Sequence, residues 1–234
     1  SLRSRIMADI QKEKSSKPRG PGPIGQIYLI VYNLSMTAGW TLVLALAIEY
    51  LISHKTNKGL WRDIELPLKI FQTGAIFEIL HAATGLVRSN VASTFLQVFS
   101  RVGVLWGIAN IALESRESVF FPIMIISWSL SEVPRYLFYA MSLFNTTPSW
   151  LKWMRYSLFA ILYPTGITGE LGVSIAALAM LKTFTKYNLD LPNPYNIQFN
   201  YYYFTLFLLL LYIPGSPYMY MHMVSQRKKA LAAD

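Results

Sequence analysis

Cysteine is absent from the chain, and only three histidines occur among its 234 residues. Without cysteine there can be no disulfide bond, no thiolate catalysis and no cysteine-ligated metal site. With so few histidines, we expect neither a metal ion nor any other bound cofactor. Charged residues are scarce as well, at 14% of the chain, whereas an ordinary soluble domain carries about 25%.

The low charge accompanies apolar runs that are long enough to cross a bilayer. Hydrophobic residues make up 53% of the chain, and the mean hydropathy is +0.35. A helix needs about 20 mainly apolar residues to span the hydrocarbon core. The sequence therefore predicts an all-α, polytopic membrane protein, a bundle of six transmembrane helices at about 24–52, 66–87, 92–113, 119–144, 151–181 and 201–224.

The basic residues predict how this bundle is oriented and where its ends lie. Residues 1–23 form a disordered basic tail, 24–224 the six-helix transmembrane catalytic domain, and 225–234 a C-terminal tail. More lysines and arginines fall on the side of the termini, so the positive-inside rule makes both tails cytosolic. The net charge of +9 is then explained by topology and by contacts with membrane lipids, and we expect no nucleic-acid partner.

One polar stretch, Tyr163 to Glu170, interrupts the fifth predicted span. A carboxyl group inside a bilayer costs several kcal/mol unless it is paired, faces a cavity or stays protonated. Seven residues turn a helix by about 700°, so Tyr163 and Glu170 share one face roughly 10 Å apart along the axis. Their types fit an acid–base pair, and Gly166 and Gly169 between them allow a backbone or a ligand to approach. The alternative is an interfacial tyrosine and a structural carboxylate.

Other ionisable residues also lie inside the predicted spans: Glu78, His81, Arg101, Glu132 and Arg135. They form either polar bridges between helices or the lining of a polar cavity. Pairing of Arg101 with Glu132 or Glu78 is one expectation.

The segment from His81 to Arg88 has the frame of a tyrosine-phosphatase signature. Ala82 stands at the position of the nucleophilic cysteine, which excludes phosphoenzyme chemistry.

Five sequence features together resemble the very-long-chain 3-hydroxyacyl-CoA dehydratases, the protein-tyrosine-phosphatase-like family. They are the frame from His81 to Arg88, the segment 132–136, Arg155-Tyr156, the stretch 163–170 and the segment 191–196. The resemblance covers roughly residues 25–227. It implies a six-span protein of the endoplasmic reticulum membrane. Such a protein dehydrates a (3R)-3-hydroxyacyl-CoA to the trans-2-enoyl-CoA, the third step of fatty-acid elongation, which supplies very-long-chain and sphingolipid precursors.

The resemblance implies that Tyr163 and Glu170 are catalytic. Glu170 is favoured as the base and Tyr163 as the acid, although a tyrosinate stabilised by an arginine would reverse these roles. Residues expected to line the substrate site are Gly166, Gly169, Arg101, Glu132, Arg135, Arg155, Tyr156, Arg88 and Lys152. Arg88, Lys152, Arg155 and Arg227 are the cations expected for the phosphates of CoA, which is part of the substrate and not a cofactor.

The family implies partners as well: the condensing enzyme, the 3-ketoacyl-CoA reductase and the trans-2-enoyl-CoA reductase of the elongation cycle. Two other functions stay open from the residues alone. Charged residues within spans also occur in transporters of polar solutes or lipids, although no internal repeat is visible here. A phosphatase-like frame without its nucleophile also fits a non-catalytic scaffold of a lipid-synthesis complex.

Overall fold

The computed structural model of the chain describes residues 21–232. Most of the tail predicted for 1–23 lies outside the described residues, as do the last two positions of the tail predicted for 225–234. The first helix begins at Pro23, where the missing amide hydrogen of proline costs nothing.

Within residues 21–232 the chain folds into helices, apart from an isolated antiparallel bridge between Leu189 and Phe199. The all-α prediction is confirmed for this part of the chain. The helices are α1 (Pro23–His54), α2 (Leu60–Gly74), α3 (Ile76–Ala83), α4 (Val91–Val104, continued by a π-helical turn at Leu105–Ala109), α5 (Leu113–Glu117), α6 (Phe120–Leu143), α7 (Ser149–Ser157), α8 (Phe159–Thr183) and α9 (Tyr201–Leu231).

Local sequence sets several helix ends. The side chains of Asn90 and Asn200 accept hydrogen bonds from the amides of Ser93 (3.1 Å) and Tyr203 (3.2 Å) and so cap α4 and α9. Lys55, directly after α1, adopts the left-handed conformation and caps the helix. The amide of Lys55 donates a hydrogen bond to the carbonyl of Leu51.

Two predicted spans differ from the helices that form. The second, 66–87, is divided between α2 and α3 at Ala75, directly after Gly74, a poor helix former. The fifth, 151–181, is also two helices, because α7 ends at Ser157 and α8 starts at Phe159. Helix α7 carries Lys152 and Arg155 and exposes two tryptophans, which is typical of a helix at the membrane interface.

Four helices of the described chain are long and apolar enough to cross a membrane: α1, α4 with its π-helical turn, α8 and α9. The chain is thus a multi-pass membrane protein. Helix α6 has sufficient length at 24 residues but carries Glu132 and Arg135. Helices α2 and α3 have 15 and 8 residues, and each is too short to span alone.

The core lies where α6 packs between α1 and α8. Its largest fully buried side chains are Trp40 of α1 and Trp128, Tyr136 and Phe121 of α6. Helix α9, in contrast, buries only Thr205 fully. The bundle therefore has a dense three-helix centre and a loosely attached last helix.

Glycines bring α6 and α8 into backbone contact. A Cβ atom at Gly169 would lie 2.7 Å from the Cα and amide nitrogen of Met124, and one at Gly172 would overlap the ring of Phe120. Gly166 is less crowded, since its Cβ would meet only the Cβ of Ser127, at 3.7 Å. Another helix, and not a ligand, therefore occupies the space that Gly169 leaves open.

We expect Gly169→Ala to lower the thermal stability of the protein in detergent. The new methyl group meets backbone that cannot turn away, and overpacking of this kind costs about 1–3 kcal/mol. Gly103→Ala is the matched control, because no atom lies within 4 Å of its Cβ position and alanine favours a helix by about 1 kcal/mol. Equal melting temperatures for the two variants would contradict the close contact between α6 and α8.

Candidate active site

Tyr163 and Glu170 both lie on α8 and both reach the same neighbouring helix. The phenol of Tyr163 donates a hydrogen bond to the carbonyl of Ser216 (3.3 Å), and a carboxylate oxygen of Glu170 accepts one from the phenol of Tyr212 (2.7 Å). Since Tyr212 and Ser216 are one turn apart on α9, the two predicted catalytic side chains face one side of α8. The expected shared face is therefore present.

Glu170 is buried, with 8% of its surface exposed, and both of its oxygens are engaged. Oε1 accepts from the indole nitrogen of Trp128 on α6 (2.8 Å), and Oε2 accepts from Tyr212. The carboxylate thus lies between three helices. It forms no ion pair with any lysine or arginine of residues 21–232.

Tyr163 is only half-buried, and its ring lies near that of Tyr220, with 6.1 Å between the centroids. Its hydroxyl faces a carbonyl oxygen, which accepts a hydrogen bond and cannot donate one. In this arrangement the phenol of Tyr163 donates one hydrogen bond and the carboxyl group of Glu170 accepts two.

A chain of ion pairs crosses the interior beside this pair. Glu132 of α6 binds Arg101 of α4 through one oxygen and Arg135, one turn along its own helix, through the other (2.5 Å). Arg135 in turn forms two hydrogen bonds of 2.8 Å with the carboxylate of Glu78 on α3. Tyr136 also donates to Glu78. Two cations and two anions compensate each other, which an apolar setting requires.

The pairing of Arg101 with Glu132 confirms one of the two partners expected for this arginine. The partner of His81 is Tyr28: a ring nitrogen of the histidine and the phenol share a hydrogen bond (2.9 Å). In the structure these residues are polar bridges between helices. The two arginines and two glutamates among them compensate each other's charge.

Trp128 connects the ion-pair cluster with Glu170. Its indole nitrogen binds the carboxylate, while the guanidinium of Arg101 lies 5.6 Å from the centroid of its ring. Arg101 keeps 30% of its side-chain surface exposed, more than Arg135 at 19%. Of these two arginines, Arg101 is thus the one connected to Glu170 through Trp128, and its side chain is the more accessible to a ligand.

The remaining predicted substrate residues lie on other parts of the fold. Arg155 of α7 donates to the phenol of Tyr139 (3.2 Å), and the ring of Tyr156 packs edge-on against Phe138. Arg88 lies in the loop between α3 and α4, and Lys152 lies on α7. Tyr163 and Glu170 are instead bound by Trp128, Tyr212 and Ser216, which were not predicted.

A signal for Tyr212 was present in the sequence. Its hydroxyl falls in the middle of an apolar run, directly before Ile213, Pro214 and Gly215, where a polar atom needs a partner. Trp128 gave no such signal, because a tryptophan in an apolar helix is common. Within residues 21–232, no group of three His, Asp or Glu side chains is close enough to hold a metal ion.

Comparison with known proteins decides the family. The protein tyrosine phosphatase-like protein family, PTPLA, matches residues 72–233. The chain belongs to this family. The PTPLA match includes Glu78, Arg101, Glu132, Tyr163 and Glu170, and thus both the ion-pair cluster and the candidate catalytic pair.

PTPLA relatives of known activity match nearly the whole chain. Very-long-chain (3R)-3-hydroxyacyl-CoA dehydratase 2 of Mus musculus is 42% identical over 216 residues, which cover 92% of this chain and 85% of the mouse protein. Dehydratase 1 of the same organism is 41% identical over 97% of this chain and 81% of its own length. The Oryza sativa dehydratase PASTICCINO 2A is 42% identical, over 89% of this chain and 95% of its own. No solved structure matches.

The structure shows what the phosphatase-like frame at His81–Arg88 is. His81 and Ala82 lie in the last turn of α3, which ends at Ala83, and Gly85 then adopts a positive φ of 71°. A phosphatase cradle joins a strand to a helix N-terminus, whereas this segment leaves a helix. The frame is therefore a helix end, in agreement with the missing cysteine.

We expect Glu132→Gln to destabilise the PTPLA bundle strongly. The substitution leaves Arg101 and Arg135 without their shared anion in the interior, and breaking a buried pair costs about 3–5 kcal/mol. Thermal unfolding in detergent measures the effect. Glu65→Gln is the control, because Glu65 pairs with Lys69 one turn away and is 39% exposed, so about 0.5 kcal/mol is at stake. A Glu132→Gln protein as stable as the control would show that the cluster does not stabilise the bundle.

Proposed function

We propose that this chain dehydrates very-long-chain (3R)-3-hydroxyacyl-CoA to trans-2-enoyl-CoA, with Tyr163 and Glu170 as its acid–base pair. The identity of 42% over 92% of the chain to an enzyme of that printed activity carries the reaction. Geometry supports the two residues, since a phenol that donates and a carboxylate that accepts face one side of α8.

The proposed mechanism assigns one proton transfer to each residue. Glu170 removes the proton at C2, and the electron pair of that bond forms the C2–C3 double bond. The hydroxyl at C3 leaves with the proton of Tyr163 as water. Net transfer of one proton from Glu170 to Tyr163 then restores the starting state.

The reverse assignment, a tyrosinate base, has less support. A phenolate needs a cation beside it, whereas the hydroxyl of Tyr163 lies against the carbonyl of Ser216. The arginines considered for this role have other partners: Arg101 and Arg135 bind Glu132, and Arg155 binds Tyr139.

Arg101 is the residue that we assign to polarising the thioester carbonyl. Negative charge develops on that oxygen when C2 loses its proton, and a positioned cation stabilises it. Arg101 is 30% exposed and lies against Trp128, whose indole binds Glu170. Arg135, in contrast, is held by two carboxylates, those of Glu132 and Glu78.

The proposed topology retains six spans, with both termini cytosolic in the endoplasmic reticulum membrane. Helices α2 and α3 together supply the second span, and α6 supplies the fourth with its charges compensated inside the bundle.

Arg227 near the end of α9 binds Ser157 at the end of α7 (3.1 Å), which brings the basic ends of these helices together. This end, with Arg88, Lys152 and Arg155, is the proposed site for CoA, and elongation-cycle enzymes are the proposed partners.

The transporter alternative rested on charged residues inside the spans. Glu78, Arg101, Glu132 and Arg135 are paired with each other, so their presence needs no solute. A scaffold without catalysis would not need a buried carboxylate held at both oxygens.

We expect Tyr163→Phe and Glu170→Gln each to lower kcat by about 10²- to 10⁴-fold, because each removes one proton transfer. Formation of enoyl-CoA from a long-chain 3-hydroxyacyl-CoA by the purified protein measures this. Tyr203→Phe and Glu65→Gln, at an exposed tyrosine and a surface carboxylate, are the controls. Near wild-type turnover of both test variants, or an inactive wild type, would refute the proposal. Solute flux in liposomes, or partner binding that survives both substitutions, would then favour a transporter or a scaffold.

We expect single cysteines to report the topology without background, because the chain has none of its own. In sealed microsomes with the cytosolic face outward, an impermeant thiol reagent should label Ser89→Cys directly and Thr56→Cys only after permeabilisation. Both positions are exposed and lie in loops on either side of α2 and α3. Labelling of both from the same side would contradict a membrane crossing by this helix pair.

A further inference from the structure

The carboxylate of Glu170 is held at both oxygens by neutral donors. The indole nitrogen of Trp128 binds one oxygen at 2.8 Å, and the phenol of Tyr212 binds the other at 2.7 Å. These donors come from different helices, α6 and α9, so they fix the carboxylate from two directions. A carboxylate with one partner can rotate, whereas two partners determine its plane.

Glu132, the other buried carboxylate of α6 and α8, has a different environment. Its partners are the guanidinium groups of Arg101 and Arg135, which compensate its charge. An anion paired with cations takes up a proton less readily than one that only accepts hydrogen bonds. The donors to Glu170 are uncharged, so they orient its carboxyl group without pairing it with a cation.

Helix packing sets the position of Trp128. The backbone of Met124 on α6 touches Gly169 on α8. Trp128 lies one turn after Met124, and Glu170 directly follows Gly169. The backbone contact holds α6 and α8 close enough for the indole to reach the carboxyl group. Trp128 is itself fixed, with 1% of its surface exposed and the guanidinium of Arg101 against its ring.

We propose that Tyr212 and Trp128 are positioning residues that hold the Glu170 carboxyl group aimed at C2 of the substrate. The inference rests on the proposed dehydratase function. It assigns to α9 a part in catalysis beyond enclosing the bundle, since Tyr212 is the residue through which that helix reaches the carboxylate.

Tyr212→Phe tests the inference, because it removes the hydroxyl and keeps the ring. Loss of one hydrogen bond to a charged group should lower kcat by about 10- to 100-fold and leave KM within about twofold. Tyr201→Phe is the matched control. Tyr201 is a half-buried tyrosine of the same helix. Its phenol donates a hydrogen bond of similar length, 2.8 Å, to the carbonyl of Gly107. It should keep kcat within about twofold while losing as much thermal stability.

Infrared spectroscopy gives a readout that a purely structural role would not change. The carboxylate band of Glu170 is identified as the band that disappears in Glu170→Gln. It should shift in Tyr212→Phe and in Trp128→Phe, and it should stay in place in Tyr201→Phe.

Equal kcat values for Tyr212→Phe and Tyr201→Phe, or an unshifted carboxylate band, would overturn the inference. If Tyr212→Phe does not fold, Trp128→Phe is judged by the same criteria, and failure of both to fold would make the two bonds structural. Glu170→Gln separates the proposals. If that variant is inactive and Tyr212→Phe turns over as fast as Tyr201→Phe, only the positioning role is wrong, whereas a Glu170→Gln protein with near wild-type turnover refutes the role of Glu170 as the base.

Discussion

Glu132 sits between Arg101 and Arg135 in the interior of an apolar bundle, and the fold is arranged around that pairing. A charge inside the membrane is tolerated only beside its opposite, so helices α3, α4 and α6 must meet where their charges meet. Tyr136 and Glu78 extend the cluster, and Trp128 links it to the candidate site. The requirement for compensation thus determines which helices are neighbours and, through them, where Tyr163 and Glu170 lie.

The two buried carboxylates, Glu132 and Glu170, differ in the groups that bind them. Glu132 has cations, and Glu170 has an indole and a phenol. The first arrangement compensates a buried charge, while the second orients a carboxyl group through hydrogen bonds alone. Two glutamates in adjacent helices can therefore have different tasks without any difference in residue type.

Helical periodicity was sufficient to place Tyr163 and Glu170 on one face, because both lie on a single helix. Charge alone limited the partners of Arg101 to two residues, one of which the structure confirms. Periodicity says nothing about which other helix supplies a donor, so Trp128 and Tyr212 were missed. The division of the second predicted span at Ala75 was also missed, since hydropathy does not register a change of helix direction.

Hydrogen bonds from the last helix to the rest of the bundle include those of the Tyr201, Tyr212 and Arg227 side chains and of the Ser216 carbonyl. Two of these contacts end on Glu170 and Tyr163. A molecule that accepts the hydrogen bond of Tyr163 competes with the Ser216 carbonyl of α9 for it, so occupancy of the site and the docking of this helix are thermodynamically linked. Linkage is reciprocal: anything that presses α9 onto α8, including the lateral pressure or thickness of the bilayer, also tunes how readily the site is occupied.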